Sequence, residues 1–379
     1  MSSLVVEVCR VEKVERHPNA DRLCVCTVKG WRVCAGRDPQ SGRNEFEPGD
    51  RCVYVPPDSV LPPDLADRLG VSKYLAPLAR NADGVRPPGG RVRVARLRGE
   101  PSYGLIMRPD DPSLEVGADV SGRYGITKWE SPPENADGEA ERPHPAFHGY
   151  TDIENVRSFP DLFVDGEEVV FTEKIHGKNC RLGLVRTEGG EGGWAFMAGS
   201  HNQRRKEFDA KGRRSQFWQV LTDPVRDLLR HVASTPDPAW GGAAPNDVVL
   251  FGEVFGSGVQ DLWYGLENGR FDLRAFDLAV NGKYLDLDVK VELFERFGVG
   301  RVPVLYRGPF SWAKVEEHVS GPTTLCPPEK AGKFKGREGI VITPVRERAV
   351  ATAAKVFDRL ILKAISFEYL ERKGGTEYH

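Results

Sequence analysis

No apolar stretch in the 379-residue chain approaches the ~20 residues needed to cross a bilayer. No transmembrane helix and no membrane partner are therefore expected. The start, Met1 to Asn19, lacks a basic segment followed by a long apolar one, so no secretory signal is expected either. There is no C-x-x-C pair. The seven cysteines, Cys9, Cys24, Cys26, Cys34, Cys52, Cys180 and Cys326, are scattered and odd in number, which argues against a zinc ribbon and against a disulfide framework. A reducing, cytoplasmic compartment is expected. The formal charge of −2 sets up no overall cationic field. Basic charge is local instead. His201 to Arg214 carries Arg204, Arg205, Lys206, Lys211, Arg213 and Arg214, and a second stretch carries Lys330, Lys333, Lys335 and Arg337. Such runs are often solvated loops, yet they also bind phosphates on a neutral protein.

Short β-like runs, Leu4–Val8, Leu23–Val28, Arg51–Val55, Arg91–Leu97 and Tyr103–Met107, are separated by Gly, Pro and Asp. Together they predict a small all-β barrel over residues 1–128, interrupted by a helix near Pro63 to Leu69. Residues 129–149 are rich in Pro, Glu and Gly and read as a linker. From 150 to 379 strand-like runs return at Glu168–Phe171, Cys180–Val185, Trp194–Ala198, Val248–Phe251, Leu273–Val280 and Gly339–Thr343. Helical patterns at Gln216–Val232, broken near Pro224, and at Val289–Phe297 interrupt them. Strands and helices do not alternate as βαβ units, so the fold class expected is α+β with antiparallel sheets.

Four charged side chains sit where apolar strands should be. Lys174 ends the strand before KIHGKN, Glu253 lies in FGEVFG, Glu338 opens EGIVI, and Lys363 lies in LKAIS. An unpaired charge in such a place costs several kcal/mol, roughly, so these groups require one another or a charged ligand. A nucleotide with a metal ion would satisfy all four.

With RAFDL, which holds Phe276, these segments resemble motifs I, III, IIIa, IV and V of the covalent nucleotidyltransferases, the polynucleotide ligases and RNA-capping enzymes. The histidine and asparagine of KIHGKN resemble RNA ligases. HPNADRL, from His17 to Leu23, is similar to the OB-type tRNA-binding module of some aminoacyl-tRNA synthetases. The combination resembles the Deinococcus-type, ATP-dependent RNA ligases, which seal 3′-OH/5′-phosphate nicks. It implies an N-terminal OB-type β-barrel and a C-terminal antiparallel-sheet nucleotidyltransferase domain. It also implies ATP, held as a covalent AMP, and a divalent ion, Mg²⁺ or Mn²⁺. The expected partner is a nicked duplex with RNA at its 3′-OH end. No protein partner is evident.

By the same resemblance Lys174 is the adenylate acceptor. An amine attacks only when neutral, and Lys363, the 204–206 cluster or a divalent ion are the candidates for driving off its proton. Glu253 is expected on the ribose hydroxyls, Phe276 on the adenine and Glu338 on the metal, through its waters. Lys363 is expected on the transferring phosphate. Arg204 or Arg205, with Arg204 preferred, matches the motif Ia arginine. Glu173, Ile175, Asn179 and Arg181 complete the expected nucleotide contacts, although Glu173 could simply pair with a neighbour. His176 either orients Lys174 or a metal water, or is satisfied by backbone groups. Many members have a second lysine two residues before the last one; Ile361 stands there, so Arg359 or Lys335 replaces it, or the contact is missing. Little chain follows Lys363, which disfavours a DNA ligase or capping enzyme with a further OB domain. The alternatives are another polynucleotide ligase or capping-type nucleotidyltransferase, or an RNA-binding protein with a degenerate ligase domain.

Overall fold

The computed structural model describes residues 4–80, 84–130, 139–242, 244–352 and 356–372. The chain divides into two compact units, Met1–Glu134 and Asn135–Glu377. No helix among the described residues is long and apolar enough to cross a membrane.

In the first unit eight strands of three residues or more matter here. They are β1 (Glu7–Arg10), β2 (Lys13–Arg16), β3 (Leu23–Val28), β4 (Trp31–Gly36), β5 (Arg51–Val55), β6 (Val94–Leu97), β7 (Glu100–Tyr103) and β8 (Leu105–Met107). They form antiparallel sheets ordered β1-β5-β8 and β2-β3-β4, and the hairpin β6-β7. Lys29 and Gly30, both at positive φ, make the two-residue turn between β3 and β4, the geometry that matches strand twist in tight hairpins. Val8, Val53, Val55 and Leu61 pack one core, and Cys24, Cys26, Val28, Val33 and Phe46 another. Two expectations change. The run Tyr103–Met107 is two strands, because Gly104 at φ +99 breaks it; a Cβ there would lie 2.4 Å from the Val55 carbonyl oxygen. The ladders among the described residues remain separate sheets and do not close into a barrel. The predicted helix is present at Pro63–Arg68.

The second unit is built on two antiparallel sheets. One contains β9 (Glu168–Lys174), β14 (Val304–Pro309), β15 (Gly339–Pro344) and β16 (Leu362–Ile365), in the order β16-β15-β9-β14, with Glu154–Asn155 parallel to β16 at the edge. The other contains β10 (Lys178–Glu191), β11 (Trp194–Ser200), β12 (Asp247–Gly256) and β13 (Phe271–Val280), in the order β11-β10-β12-β13. Arg204–Arg205 and Lys283–Tyr284 edge this second sheet. Helices α1 (Asp223–Ser234) and α2 (Leu287–Phe297) belong to the core on one of its faces. Pro224 sits in the first turn of α1, where its missing N–H costs nothing, and Gln216–Gln219 is a separate short helix.

Strand alternation sorts the side chains. Val169, Phe171, Ile340, Ile342, Leu362 and Ala364 pack a core on one face of the first sheet. Cys180, Leu182, Leu184, Val248 and Leu250 pack the helix-covered face of the second. The remaining positions, including Val185, Val249, Phe251, Val341 and Ile361, meet in a core shared by the two sheets. Of the segment expected as a linker, residues 131–138 lie outside the described residues. Residues 139–141 instead run along Arg204–Lys206 with backbone hydrogen bonds, and Phe147 is buried in the shared core.

Candidate active site

Lys174 is the last residue of β9 and lies opposite Gly339 in β15. Its Nζ is ion-paired with Glu338 Oε1, and the carboxylate is 1% exposed. The chain then turns through Ile175, His176 and Gly177 into β10. Gly177 is obligatory on steric grounds: a Cβ would lie 2.2 Å from the Val254 carbonyl oxygen. The Gly177 N–H donates to Glu253 Oε1 at 3.1 Å. Register places Asn179 opposite Glu253, and Glu253 opposite Arg274. Lys363 lies opposite Val341, the next strand over from Lys174. Lys174, Gly177, Glu253, Asn179 and Glu338 are thus brought together from segments far apart in sequence.

Two of these groups are short of partners. The Asn179 Oδ1 is buried and has no hydrogen bond, a state that costs roughly 1–3 kcal/mol unless a ligand fills it. Glu253 carries only the Gly177 N–H on its carboxylate. Burial is the largest cause that raises its pKa, to about 8; nearby Lys174 lowers it and Glu338 raises it. A carboxyl in that range can donate as well as accept a hydrogen bond near neutral pH. Both are suited to the hydroxyl-bearing edge of a nucleoside.

Phe276 owes its position to a β-bulge. Along β12 and β13, Phe251 pairs with Asp277 and Gly252 with Ala275, so Phe276 is the extra residue. Ala275 and Leu278 stay in the helix-side core, while Phe276 packs into the shared core and the Ile175 cluster. Bulges re-aim side chains in this way. The Phe276 ring is tilted against Tyr150, with centroids 4.9 Å apart.

His176 is held by side chains and not by backbone acceptors. Its Nε2 lies 2.7 Å from Asp261 Oδ1 and its Nδ1 2.8 Å from the Tyr369 hydroxyl. Nδ1 is also 3.6 Å from Glu338 Oε2. The backbone N–H of His176 donates to the Tyr264 hydroxyl at 2.8 Å. Ile175 is buried in a cluster with Phe255, Leu262 and Val302.

Other expected contacts are placed differently. The Glu173 carboxylate is spent on Thr323 Oγ1 (2.5 Å), Thr324 Oγ1 (2.6 Å) and the Thr324 N–H (2.8 Å). It lies one residue from Lys174 on the strand, so alternation turns it to the other face. The Arg181 guanidinium donates to the carbonyls of Ser200 (2.9 Å) and Phe147 (2.5 Å), and burial lowers its pKa to about 10. It braces the fold there. Arg204 pairs with Glu141 at 2.6 Å and Arg205 with Glu139 at 3.7 Å, at the sheet edge. Arg359 does not replace the missing lysine: its guanidinium binds Asp277 and Glu347. Lys335 is exposed.

Asp261, Tyr369 and Arg372 were not read from the sequence. Asp261 and Tyr369 lie 85 and 193 residues from His176, and neither sits in a segment whose pattern marks a charge out of place.

Comparison with known proteins agrees with this geometry. A family model described as RNA ligase matches residues 167–365, and one described as an OB-fold domain matches residues 5–109. Solved structures of the Naegleria gruberi RNA ligase are similar over nearly the whole chain. The form with PPi is 24% identical with a TM-score of 0.69, covering 97% of this chain and 98% of that one. A glutamate-to-alanine mutant with AMP and Mn is 23% identical with a TM-score of 0.71, over 97% and 98% of the two chains. At that identity the likeness is one of fold. The phenylalanine–tRNA ligase beta subunit of Symbiobacterium thermophilum is 33% identical over 127 residues, which are 33% of this chain and 13% of that protein. The chain spans about an eighth of that curated relative. The match of the RNA ligase model over half of the sequence, on the unit that carries Lys174, Glu253 and Glu338, makes this chain a member of the RNA ligase family with an N-terminal OB-fold domain.

Proposed function

We propose that the protein is an ATP-dependent RNA ligase of the Deinococcus type that seals 3′-OH/5′-phosphate nicks through an AMP carried on Lys174. The observation that carries this reading is the convergence of Lys174, Glu338, Glu253 and the unpartnered Asn179 at one end of the two sheets. The structures of the Naegleria ligase with AMP and with ATP and Mn support the choice of nucleotide.

The chemistry follows from the residues. Lys174 sheds a proton and its amine attacks the α-phosphorus of ATP. The N–P bond forms as the bond to the bridging oxygen breaks, and pyrophosphate leaves. Asn179 and Glu253 hold the nucleoside, and Phe276 offers its ring to the base. Lys363, reaching from β16, neutralises charge on the transferring phosphate. A divalent ion, Mg²⁺ or Mn²⁺, fits the buried Glu338 carboxylate through its waters and supplies further charge neutralisation when bound. AMP then passes to the 5′-phosphate of the nick, breaking the N–P bond. The 3′-OH displaces AMP and closes the phosphodiester.

The first unit supplies a nucleic-acid surface in this reading, supported by the OB-fold match and by the synthetase relative. Sealing of matched nicked duplexes that differ only in ribose or deoxyribose at the 3′-OH end tests it. The account expects sealing with ribose there and at least a tenfold loss with deoxyribose; equal rates would remove RNA specificity.

A further inference from the structure

We propose that Tyr369 and Asp261 are positioning residues that hold His176 as the neutral tautomer with its proton on Nε2, and through it fix the Glu338 carboxylate that faces Lys174. The inference rests on the assignment of Lys174 above but concerns residues that no family motif singled out.

The hydrogen-bond inventory decides the tautomer. Asp261 Oδ1 is an acceptor and stands 2.7 Å from Nε2, so that nitrogen carries the hydrogen. The Tyr369 hydroxyl has one proton to donate. Arg372 Nη2 already donates to its oxygen at 2.9 Å, and the guanidinium carbon lies 3.5 Å from the ring centroid. The remaining direction for the Tyr369 proton is His176 Nδ1, 2.8 Å away. Nδ1 is then an acceptor and places no hydrogen toward Glu338 Oε2, 3.6 Å away. Arg372 Nε lies 3.6 Å from Asp261 Oδ2 and offsets the charge of that carboxylate.

The placement explains why these residues are buried so deeply. Tyr369 is fully buried at 0% exposure, and the short helix Phe367–Leu370 that carries it is capped by Ser366, whose side chain accepts from the Tyr369 N–H. Phe334 packs against the same ring, with centroids 5.9 Å apart. A ring fixed on both nitrogens cannot rotate, and the Ile175–Gly177 turn is further tied by the His176 N–H to Tyr264. Glu338 meets a fixed neighbour on one oxygen and Lys174 on the other. The end of the chain and the loop after β12 thus set the geometry at the nucleophile.

The test measures formation of the protein–AMP adduct over a range of ATP concentrations, with thermal melting alongside. Tyr369→Phe and Asp261→Asn are each made alone and in a His176→Ala background. Loss of such an outer partner is expected to lower the maximal rate roughly tenfold, with the half-saturating ATP concentration and the melting temperature unchanged. In the His176→Ala background neither change is expected to lower the rate further. Wild-type rates, or an equal loss without His176, would overturn the inference. Nitrogen NMR of imidazole-labelled, unmutated protein supplies a readout independent of variant folding: a proton on Nε2 is expected, and one on Nδ1 overturns the assignment. An adduct that survives Lys174→Ala would defeat the functional reading alone, because the tautomer measurement stands by itself.

Discussion

Two groups of buried charge lie in the second unit, and they are built oppositely. The first surrounds Asp277. Lys290, the Tyr150 hydroxyl and both terminal nitrogens of Arg359 bind its carboxylate, and Arg359 also binds Glu347. Two acids meet two bases. The Asp277 pKa falls well below the ordinary range because the pull of Arg359 and Lys290 outweighs burial, the largest single cause acting on it. The second group holds Lys174, Glu338, Glu253 and Asn179. There one carboxyl has its pKa raised by burial to about 8 and one amide oxygen has no partner. A balanced cluster holds elements together; an unbalanced one waits for a ligand. The Asp277 group joins β13, α2 and the approach to β16, so it also sets the spacing between Phe276 and Lys363.

The largest effect expected from breaking this contrast is on stability. Asp277→Ala leaves Lys290 and Arg359 buried without their shared anion and should cost about 3–5 kcal/mol, read from denaturant unfolding. Glu338→Gln should cost less than half as much, since Lys174 retains access to water, while adduct formation falls about a hundredfold. Similar stability losses for the two variants would erase the distinction.

A smaller effect concerns pH. Glu253 has an ordinary pKa of 4.5 and is raised to about 8 in the fold. Between those values the folded chain holds a proton that the unfolded chain has released, so stability falls as pH rises through that window. Glu253→Gln removes this dependence. The melting temperature of the variant relative to wild type is therefore expected to climb from pH 5 to pH 8, measured without nucleotide or metal; a flat difference would contradict the assigned shift. Least of all, Asn179→Ala should change stability by less than about 1 kcal/mol, because the amide oxygen makes no internal bond. The half-saturating ATP concentration should nevertheless rise about tenfold.

Much of this contrast is legible in the residues themselves. A charge in an apolar strand stands out in any one-dimensional pattern, which is why Lys174, Glu253, Glu338 and Lys363 could be named in advance. Asp277 stood in the same kind of strand and was passed over. Its partners Lys290 and Arg359 come from a helix and a loop, and only packing brings them to it. The same holds for His176, whose partners are remote in sequence. Alternation along β9 separates Glu173 from Lys174, a distinction the pattern of period two already contained. The bulge at Phe276 was not legible, because register depends on the neighbouring strand. Nor was the separation of the first unit into distinct sheets, since closure depends on how short strands pair and not on where they lie.

The central claim is that Lys174 carries AMP. Incubating the protein with α-labelled ATP and a divalent ion, followed by denaturing electrophoresis and peptide mapping, tests it most directly. The account predicts an acid-labile label on the peptide containing Lys174 and none on a folded Lys174→Ala variant. Label on that variant, or on another peptide of the wild-type chain, would contradict it.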